Sequence, residues 1–182
     1  MAVMSETQVD SQPLDIPAPG RYLISPEQST VILRTRHLFG LGAVRATLAV
    51  RDGRIVVAGP PEKSVVGARF AVPSFESGNP ARDAAVLSRR LLDAEAFPSI
   101  TFTSTELIHS GQHWSLRGEL EVHGVARPVE ARITALRAGE STLNASAQAV
   151  IDRYDFGITA YRGLAARKLT VDLTVTAHRE ES

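Results

Sequence analysis

Five histidines and one short run of charged residues are the parts of this 182-residue chain that could support catalysis or bind a metal. His109 and His113 lie four residues apart, a spacing found in some metal sites, but the intervening Ser-Gly-Gln predicts a turn. A third ligand at a defined spacing is lacking, and two histidines alone rarely form a site. The sequence has no cysteine, which removes zinc–thiolate sites, disulfides and thiol nucleophiles from consideration. We therefore predict no metal and no cofactor.

The charged run lies in residues 151–158, IDRYDFGI, where Asp152 and Asp155 flank Arg153. Two neighbouring carboxylates could act as an acid–base pair, but that role requires a cleft and a raised pKa. An adjacent arginine lowers the pKa of a carboxyl group instead. We predict a strand-end corner in which these side chains satisfy backbone groups and each other, while Gly157 allows the bend. No catalytic residue is predicted, and hence no enzymatic activity.

Two further histidines lie where predicted strands end. His37 falls on the apolar face of its strand, near the strand's end. It could bond to the polar head of a ligand, or it could be a structural residue at the rim. His123 precedes Gly124 between two alternating segments, which predicts a hairpin turn.

Strands with one apolar face position these residues. In residues 119–133, ELEVHGVARPVEARI, apolar and polar residues alternate on both sides of the His-Gly pair, as in a half-buried hairpin. The same period recurs in about eight segments, and Asp52-Gly53 predicts another hairpin turn. Residues 80–92 lose this period and predict one helix, capped by Asn79 and ended before Pro98.

The predicted fold class is therefore all-β: an antiparallel barrel of about eight strands with one inserted α-helix. Closing the sheet gives every apolar face a common interior and leaves no exposed edge. A two-sheet sandwich is the alternative, because the period of two alone does not distinguish the two architectures.

The inward faces are apolar, and no Asp, Glu or Lys lies on them at the strand centres. Ala145, Ala147 and Ala149 share one inward face, and Ala131 is small as well. A barrel of eight strands holds either packed side chains or one small ligand. The small residues therefore suggest space for an elongated apolar guest. The alternative is that Trp114 and the phenylalanines fill this space from opposite strands.

Charge and composition restrict the partners. Twenty basic and twenty acidic side chains cancel, which gives no electrostatic reason to expect nucleic acid or an anionic membrane. No segment approaches the ~18 uninterrupted apolar residues of a membrane helix, and residues 1–19 lack the layout of a signal peptide. We expect residues 1–19 to form a flexible tail, and the protein to be cytoplasmic without an integral membrane segment.

Several motifs in order resemble the YceI-like family of polyisoprenoid-binding proteins: GRYLISPEQSTVILRTRHL, GNPARD, FPSITFTST, LRGELEVHGVARPVEARI and IDRYDFGI. The resemblance covers residues 20–178, so that residues 20–182 are interpreted as a YceI-like β-barrel domain. It implies an extended, lipocalin-like barrel with a helix packed beside it. The implied activity is binding, carriage or storage of a long isoprenoid lipid or isoprenoid quinone in an apolar tunnel. In the helix segment, Ala85, Leu91 and Leu92 stand where relatives often carry a histidine and paired phenylalanines.

The resemblance implies a general lining rather than a catalytic set, with His37 matching a strand-end histidine of the family. The alternatives are an enzyme acting on a lipid in the same cavity and a structural barrel with a filled core. A homodimer and a transient membrane contact stay open. The residues expected to line the ligand are Val31, Leu33, His37, Val44, Ala46, Leu48, Phe70, Phe102, Trp114, Leu116, Leu120, Ala131, Ala145, Ala147, Ala149, Val171 and Leu173.

Overall fold

The computed structural model describes residues 14–37, 42–111 and 113–181, with the side chains of residues 36 and 37 left out. The described residues contain nine strands and one α-helix, α1 (Pro80–Leu87). The strands are β1 (Gly20–Ile24), β2 (Thr30–His37), β3 (Gly42–Val57), β4 (Val65–Glu76), β5 (Ser99–Ser110), β6 (His113–Val122), β7 (Val125–Ala138), β8 (Thr142–Asp152) and β9 (Lys168–Arg179).

Antiparallel pairing closes the sheet into a barrel. Each strand from β2 to β8 pairs with the next one along the chain, and β9 returns to pair with β2. The short β1 also lies between β3 and β9, end to end with β2 and separated from it by a 3-10 turn at Pro26–Gln28. Nine described strands thus occupy eight positions of the barrel. The predicted all-β barrel with one inserted helix is confirmed, and the two-sheet alternative is wrong.

Alternation along each strand separates an apolar interior from a polar exterior. In β3, Val44, Ala46 and Leu48 are buried while the intervening Arg45 is exposed. The side chains of successive strand residues point to opposite faces, so one sequence period fills the barrel and solvates its outside.

The predicted hairpin at Asp52-Gly53 is wrong. β3 runs through both residues as one strand of 16 residues, with a local irregularity in its pairing to β4 between Val50 and Asp52. Gly53 serves a close approach instead of a turn. A Cβ atom there would lie 2.5 Å from Cδ1 of Ile24 and 2.9 Å from the carbonyl oxygen of Gly67.

The inserted helix is shorter than predicted. Asn79 caps it as expected, because its side chain accepts a hydrogen bond from the amide of Arg82. The helix ends at Leu87 because Ser88 is extended (ψ 165°) and its hydroxyl donates to the carbonyl of Ala85. The turns that follow, through residue 97, leave the helical path.

The barrel has two ends that we name by their segments. The helix end comprises residues 76–98, the β6–β7 turn at 123–124 and residues 153–167. The terminal end comprises residues 14–19, 58–64, 139–141 and 179–181. At the terminal end the amide of Asp15 donates to the carbonyl of Leu136, and Pro17 is buried. Residues 1–13 of the predicted tail lie outside the described residues, and the domain boundary stays a prediction.

Candidate ligand-binding tunnel

One large cavity of about 620 Å³ follows the inside of the barrel. It begins at the terminal end beside Ile16 and Pro17 and reaches Arg82 and Tyr161 at the helix end. All but a few of its lining side chains are apolar. The polar and charged ones among the described residues are Thr35, Ser64, Arg82, Ser146, Arg153 and Tyr161.

The strands place the sequence-predicted lining residues together on this cavity. Their inward orientation agrees with the prediction, while their contact with a ligand stays a prediction. The side chain of His37 lies outside the described residues; its backbone ends β2 opposite Gly42. The predicted residues that line the cavity are Val31, Leu33, Val44, Ala46, Leu48, Phe70, Phe102, Trp114, Leu116, Leu120, Ala131, Ala145, Ala147, Ala149, Val171 and Leu173.

Small residues on β8 keep the interior open. Ala145, Ala147 and Ala149 alternate along the strand and all line the cavity. Trp114 lines the cavity too, but its ring stacks on that of His109, with 4.3 Å between the ring centroids, and the space in front of the alanines is not filled. The arrangement is that of a ligand-sized interior rather than a packed one.

Arg153 organises the helix end. Only 8% of this residue is exposed, and its guanidinium donates to the carbonyl oxygens of Ile158, Ala160, Ala165 and Ala166 at 2.8 to 3.2 Å. These bonds hold both arms of the loop between the 3-10 turn at Arg153–Phe156 and β9. Burial lowers the pKa of Arg153 from its ordinary value, and the neighbouring Tyr154 and Asp152 partly oppose that shift.

The predicted strand-end corner is confirmed, with different partners from those expected. Asp152 accepts a hydrogen bond from the amide of Tyr154, and its other oxygen lies 2.6 Å from Nε of Arg167. Gly157 has a positive φ of 74° and ends the turn. Arg153 bonds to backbone carbonyls and not to either carboxylate. The corner is therefore a structural clamp at one mouth of the cavity.

The remaining histidines behave as turn and surface residues. His123 and Gly124 both have positive φ, as the predicted hairpin turn requires, and the ring of His123 lies 4.6 Å from that of Phe97. The ring of His113 lies 3.1 Å from the guanidinium of Arg132. Within residues 14–37, 42–111 and 113–181, no three His, Cys, Asp or Glu side chains cluster as metal ligands.

Sequence reasoning missed the lining at the helix end. Tyr161, Leu164, Ala165 and Ala166 line the cavity from a loop without periodicity, which gives no sequence signal. Arg82 lines it from α1 together with Ala85 and Val86. The spacing of 82, 85 and 86 marks a single helix face, so this part was open to inference from the sequence.

A second recess, of about 440 Å³, lies outside the barrel between β7 and β8. These strands pair from Arg132 and Gln148 onward toward the terminal end, and they separate toward the helix end. Pro128, which pairs with Glu119 of β6 on its other side, lies beside this gap. Val129, Ala149, Ile151 and Phe156 line both this recess and the tunnel, so one layer of side chains divides them.

The model of the YceI-like domain matches residues 22–178, which include every barrel strand from β2 to β8, the last three residues of β1 and all of β9 but its last residue. The chain belongs to this family. A UPF0312 protein from Pectobacterium carotovorum is 25% identical over 126 residues, which is 66% of each chain. The protein YceI from Salmonella arizonae is 26% identical over 120 residues, or 63% of each chain. The match thus spans just under two thirds of these relatives.

Solved structures show the same fold at low sequence identity. Burkholderia cenocepacia BcnA superposes with a TM-score of 0.73 at 15% identity, over 84% of this chain and 98% of that one. A polyisoprenoid-binding domain from Saccharophagus degradans gives a TM-score of 0.66 at 13% identity, over 90% and 100%. Separately, no helix in the described part of the chain has the length and apolarity needed to cross a membrane.

Proposed function

We propose that this protein binds the tail of a long isoprenoid lipid, such as a polyprenyl lipid or an isoprenoid quinone, inside the barrel. The observation that carries the proposal is the continuous apolar cavity of about 620 Å³ between the two ends. Its size lies in the ~300–1,000 Å³ range of small-molecule sites. The function would be carriage, storage or sequestration rather than chemistry on the lipid.

Affinity would come from burial of the tail. Each buried CH₂ group contributes about 0.8 kcal/mol, and an apolar lining offers the tail no hydrogen bonds that favour a particular orientation. Specificity would then rest on the few polar groups near the mouths, such as Arg82 and Tyr161. The solved Saccharophagus degradans relative is a polyisoprenoid-binding domain, which supports the same ligand class here.

The two alternative functions have less support. A filled structural barrel would leave no continuous void, and the cavity beside Ala145 and Ala147 argues against it. An enzyme acting on bound lipid would need an acid, base or nucleophile facing the cavity. No described carboxylate or histidine lines it. The cytoplasmic location, a homodimer and a transient membrane contact stay predictions.

Native mass spectrometry of the purified protein, followed by organic extraction and lipid identification, tests the proposal. We expect an isoprenoid near one-to-one stoichiometry. A protein that is ligand-free, and stays so after incubation with isoprenoid quinones and polyprenyl lipids, would contradict it.

A matched pair of variants assigns binding to the interior. Ala147→Leu adds three carbon atoms inside the cavity, whereas Ala135→Leu adds the same atoms on the exposed face of β7. We expect the first variant to bind less lipid or a shorter tail, because the added side chain occupies tail space. The second should bind like the unmodified protein. Equal loss in both variants would mean that binding is not internal.

A further inference from the structure

Charge along the tunnel lining is unevenly distributed. The ionised side chains that line it, within the described residues, are Arg82 and Arg153, and both lie at the helix end. No described carboxylate lines the cavity, and the terminal end contributes the apolar Ile16, Pro17 and Pro61. Among the described residues, the tunnel lining is therefore uncharged at the terminal end and cationic at the helix end.

Helix stability does not explain the place of Arg82. Counting from Asn79 as the cap, Arg82 is the third residue of α1, where the positive end of the helix dipole favours an acidic side chain. The acidic residue of the first turn, Asp83, bonds to the amide and hydroxyl of Ser77 instead of pairing with Arg82. A cation at this position costs the helix a little stability, so its presence points to another role.

The two arginines that line the tunnel differ in how many of their N–H groups are free to bind a ligand. Arg153 directs its guanidinium at four loop carbonyls, so it supplies positive potential but few hydrogen bonds to a guest. No residue in the described ranges forms an ion pair or side-chain hydrogen bond with the guanidinium of Arg82. A guanidinium offers five N–H donors in a planar fork that fits phosphate and carboxylate oxygens.

We propose that Arg82 binds an anionic head group, of the phosphate or diphosphate type, on the isoprenoid lipid in the tunnel. The head lies at the helix end and the tail extends toward the terminal end. This inference rests on the proposed function and narrows its ligand class, because a neutral alcohol or quinone head would leave Arg82 without a counter-charge. Arg153 acts as a positioning residue that holds the loop around the head.

Binding of geranylgeranyl phosphate and geranylgeraniol tests this assignment, since the two share a tail and differ in the head. Trp114, the single tryptophan of the chain, lines the tunnel, so its fluorescence reports occupancy for both probes. Titrations compare the unmodified protein with Arg82→Gln and with Arg89→Gln. Arg89 is an exposed arginine seven residues further along the chain that does not line the tunnel.

The unmodified protein should bind the phosphate about tenfold or more tightly than the alcohol, the range of a hydrogen-bonded charge pair. Arg82→Gln should lower the affinity for the phosphate to about that for the alcohol, whereas Arg89→Gln should keep the tenfold preference. Equal affinity for both probes, or a preference that survives Arg82→Gln, would overturn the head-group assignment and leave tail binding intact. Failure of both probes to bind any variant would overturn the proposed function itself. Because Arg82 has no described partner, Arg82→Gln should fold normally, and its thermal transition checks this.

Discussion

The two ends of the barrel are closed by different physical means. In the strand ends beside the terminal end, apolar side chains pack tightly: Tyr22, Leu143 and Ala177 are each at most 2% exposed. At the helix end, Phe156 and Ile158 are buried as well, but the loop that carries them is held over the opening by the buried guanidinium of Arg153. The difference between the two ends is therefore the hydrogen-bonded guanidinium at the helix end.

The two ends of the tunnel are suited to different parts of a ligand. An end closed by apolar contacts suits the tip of a tail, which needs only exclusion of water. An end built from a charged clamp and a short helix can distinguish head groups, because buried polar groups discriminate strongly between ligands that do and do not satisfy them. The asymmetry of the barrel therefore fits a ligand with one polar end.

Removing the guanidinium of Arg153 should lower the stability of the protein more than any other change considered below. Arg153→Met keeps much of the volume but leaves four carbonyl oxygens without their donor. Each unsatisfied buried carbonyl costs about 1–3 kcal/mol, and water relieves part of this at a surface loop. We expect the free energy of unfolding, from urea titration, to fall by about 3–5 kcal/mol.

Arg162→Met is the matched control for the clamp. Arg162 is exposed in the same loop and lies 5.1 Å from the ring of Tyr154. Its loss should cost less than about 1 kcal/mol, the usual size of an exposed cation–π contact. Equal costs for Arg153→Met and Arg162→Met would show that the helix end is not held by the buried guanidinium.

Close backbone packing at Gly53 should give the next largest effect. A glycine in a hairpin turn tolerates asparagine, which adopts a positive φ readily. Here the added side chain would meet the carbonyl of Gly67 and the tip of Ile24, so Gly53→Asn should destabilise by about 1–3 kcal/mol. Thermal unfolding measures this. A cost of only a few tenths of a kcal/mol would favour a turn-like role for Gly53.

Gly53 also shows which parts of the fold the sequence could predict. The alternation of apolar and polar residues predicts the strands and their inward residues. Every second residue of a strand points to the same face, as the buried Val44, Ala46 and Leu48 do. The pair Asp-Gly is typical of a hairpin turn, but a glycine that is needed where two backbones pack closely gives the same sequence signal. The distinction depends on Ile24 and Gly67, which are remote in sequence.

The candidate site likewise has parts that the sequence predicts and parts that it does not. Its strand lining was predictable, since each member follows the period of its own strand. The carbonyl partners of Arg153 were not, because residues 158 and 166 lie on different arms of a loop without period. Arg82 lies between these cases, since its face on α1 follows from helical spacing but its lack of a partner does not.

A smaller loss of stability is expected when the hydrogen bond of Tyr22 at the terminal end is removed. The buried Tyr22 donates its hydroxyl to the carbonyl of Ala18 at 2.9 Å. Tyr22→Phe should cost about 1 kcal/mol, the net contribution of one hydrogen bond. Tyr161→Phe is the matched change at the helix end, where the residue is 37% exposed, and should cost almost nothing. Urea unfolding of the two variants compares them, and the opposite order would mean that the terminal end is not the more tightly packed one.

The smallest effect is expected on the barrel wall, away from both ends. Arg117 on β6 donates to Glu130 on β7 at 2.9 Å, and this bond, with a further one from Ser115, lowers the pKa of Glu130. A lowered carboxyl pKa in the folded state stabilises at pH values above the unfolded pKa, and the contribution is lost as the pH falls through the folded pKa. The difference in unfolding free energy between the unmodified protein and Glu130→Gln should therefore be larger at pH 7 than at pH 3. It should also shrink in 0.5 M salt, about threefold above the physiological ionic strength, because both side chains are solvent-exposed and salt screens their attraction. A difference that grows on acidification would show that Glu130 is stabilised in its protonated form and that the pair with Arg117 does not form in solution.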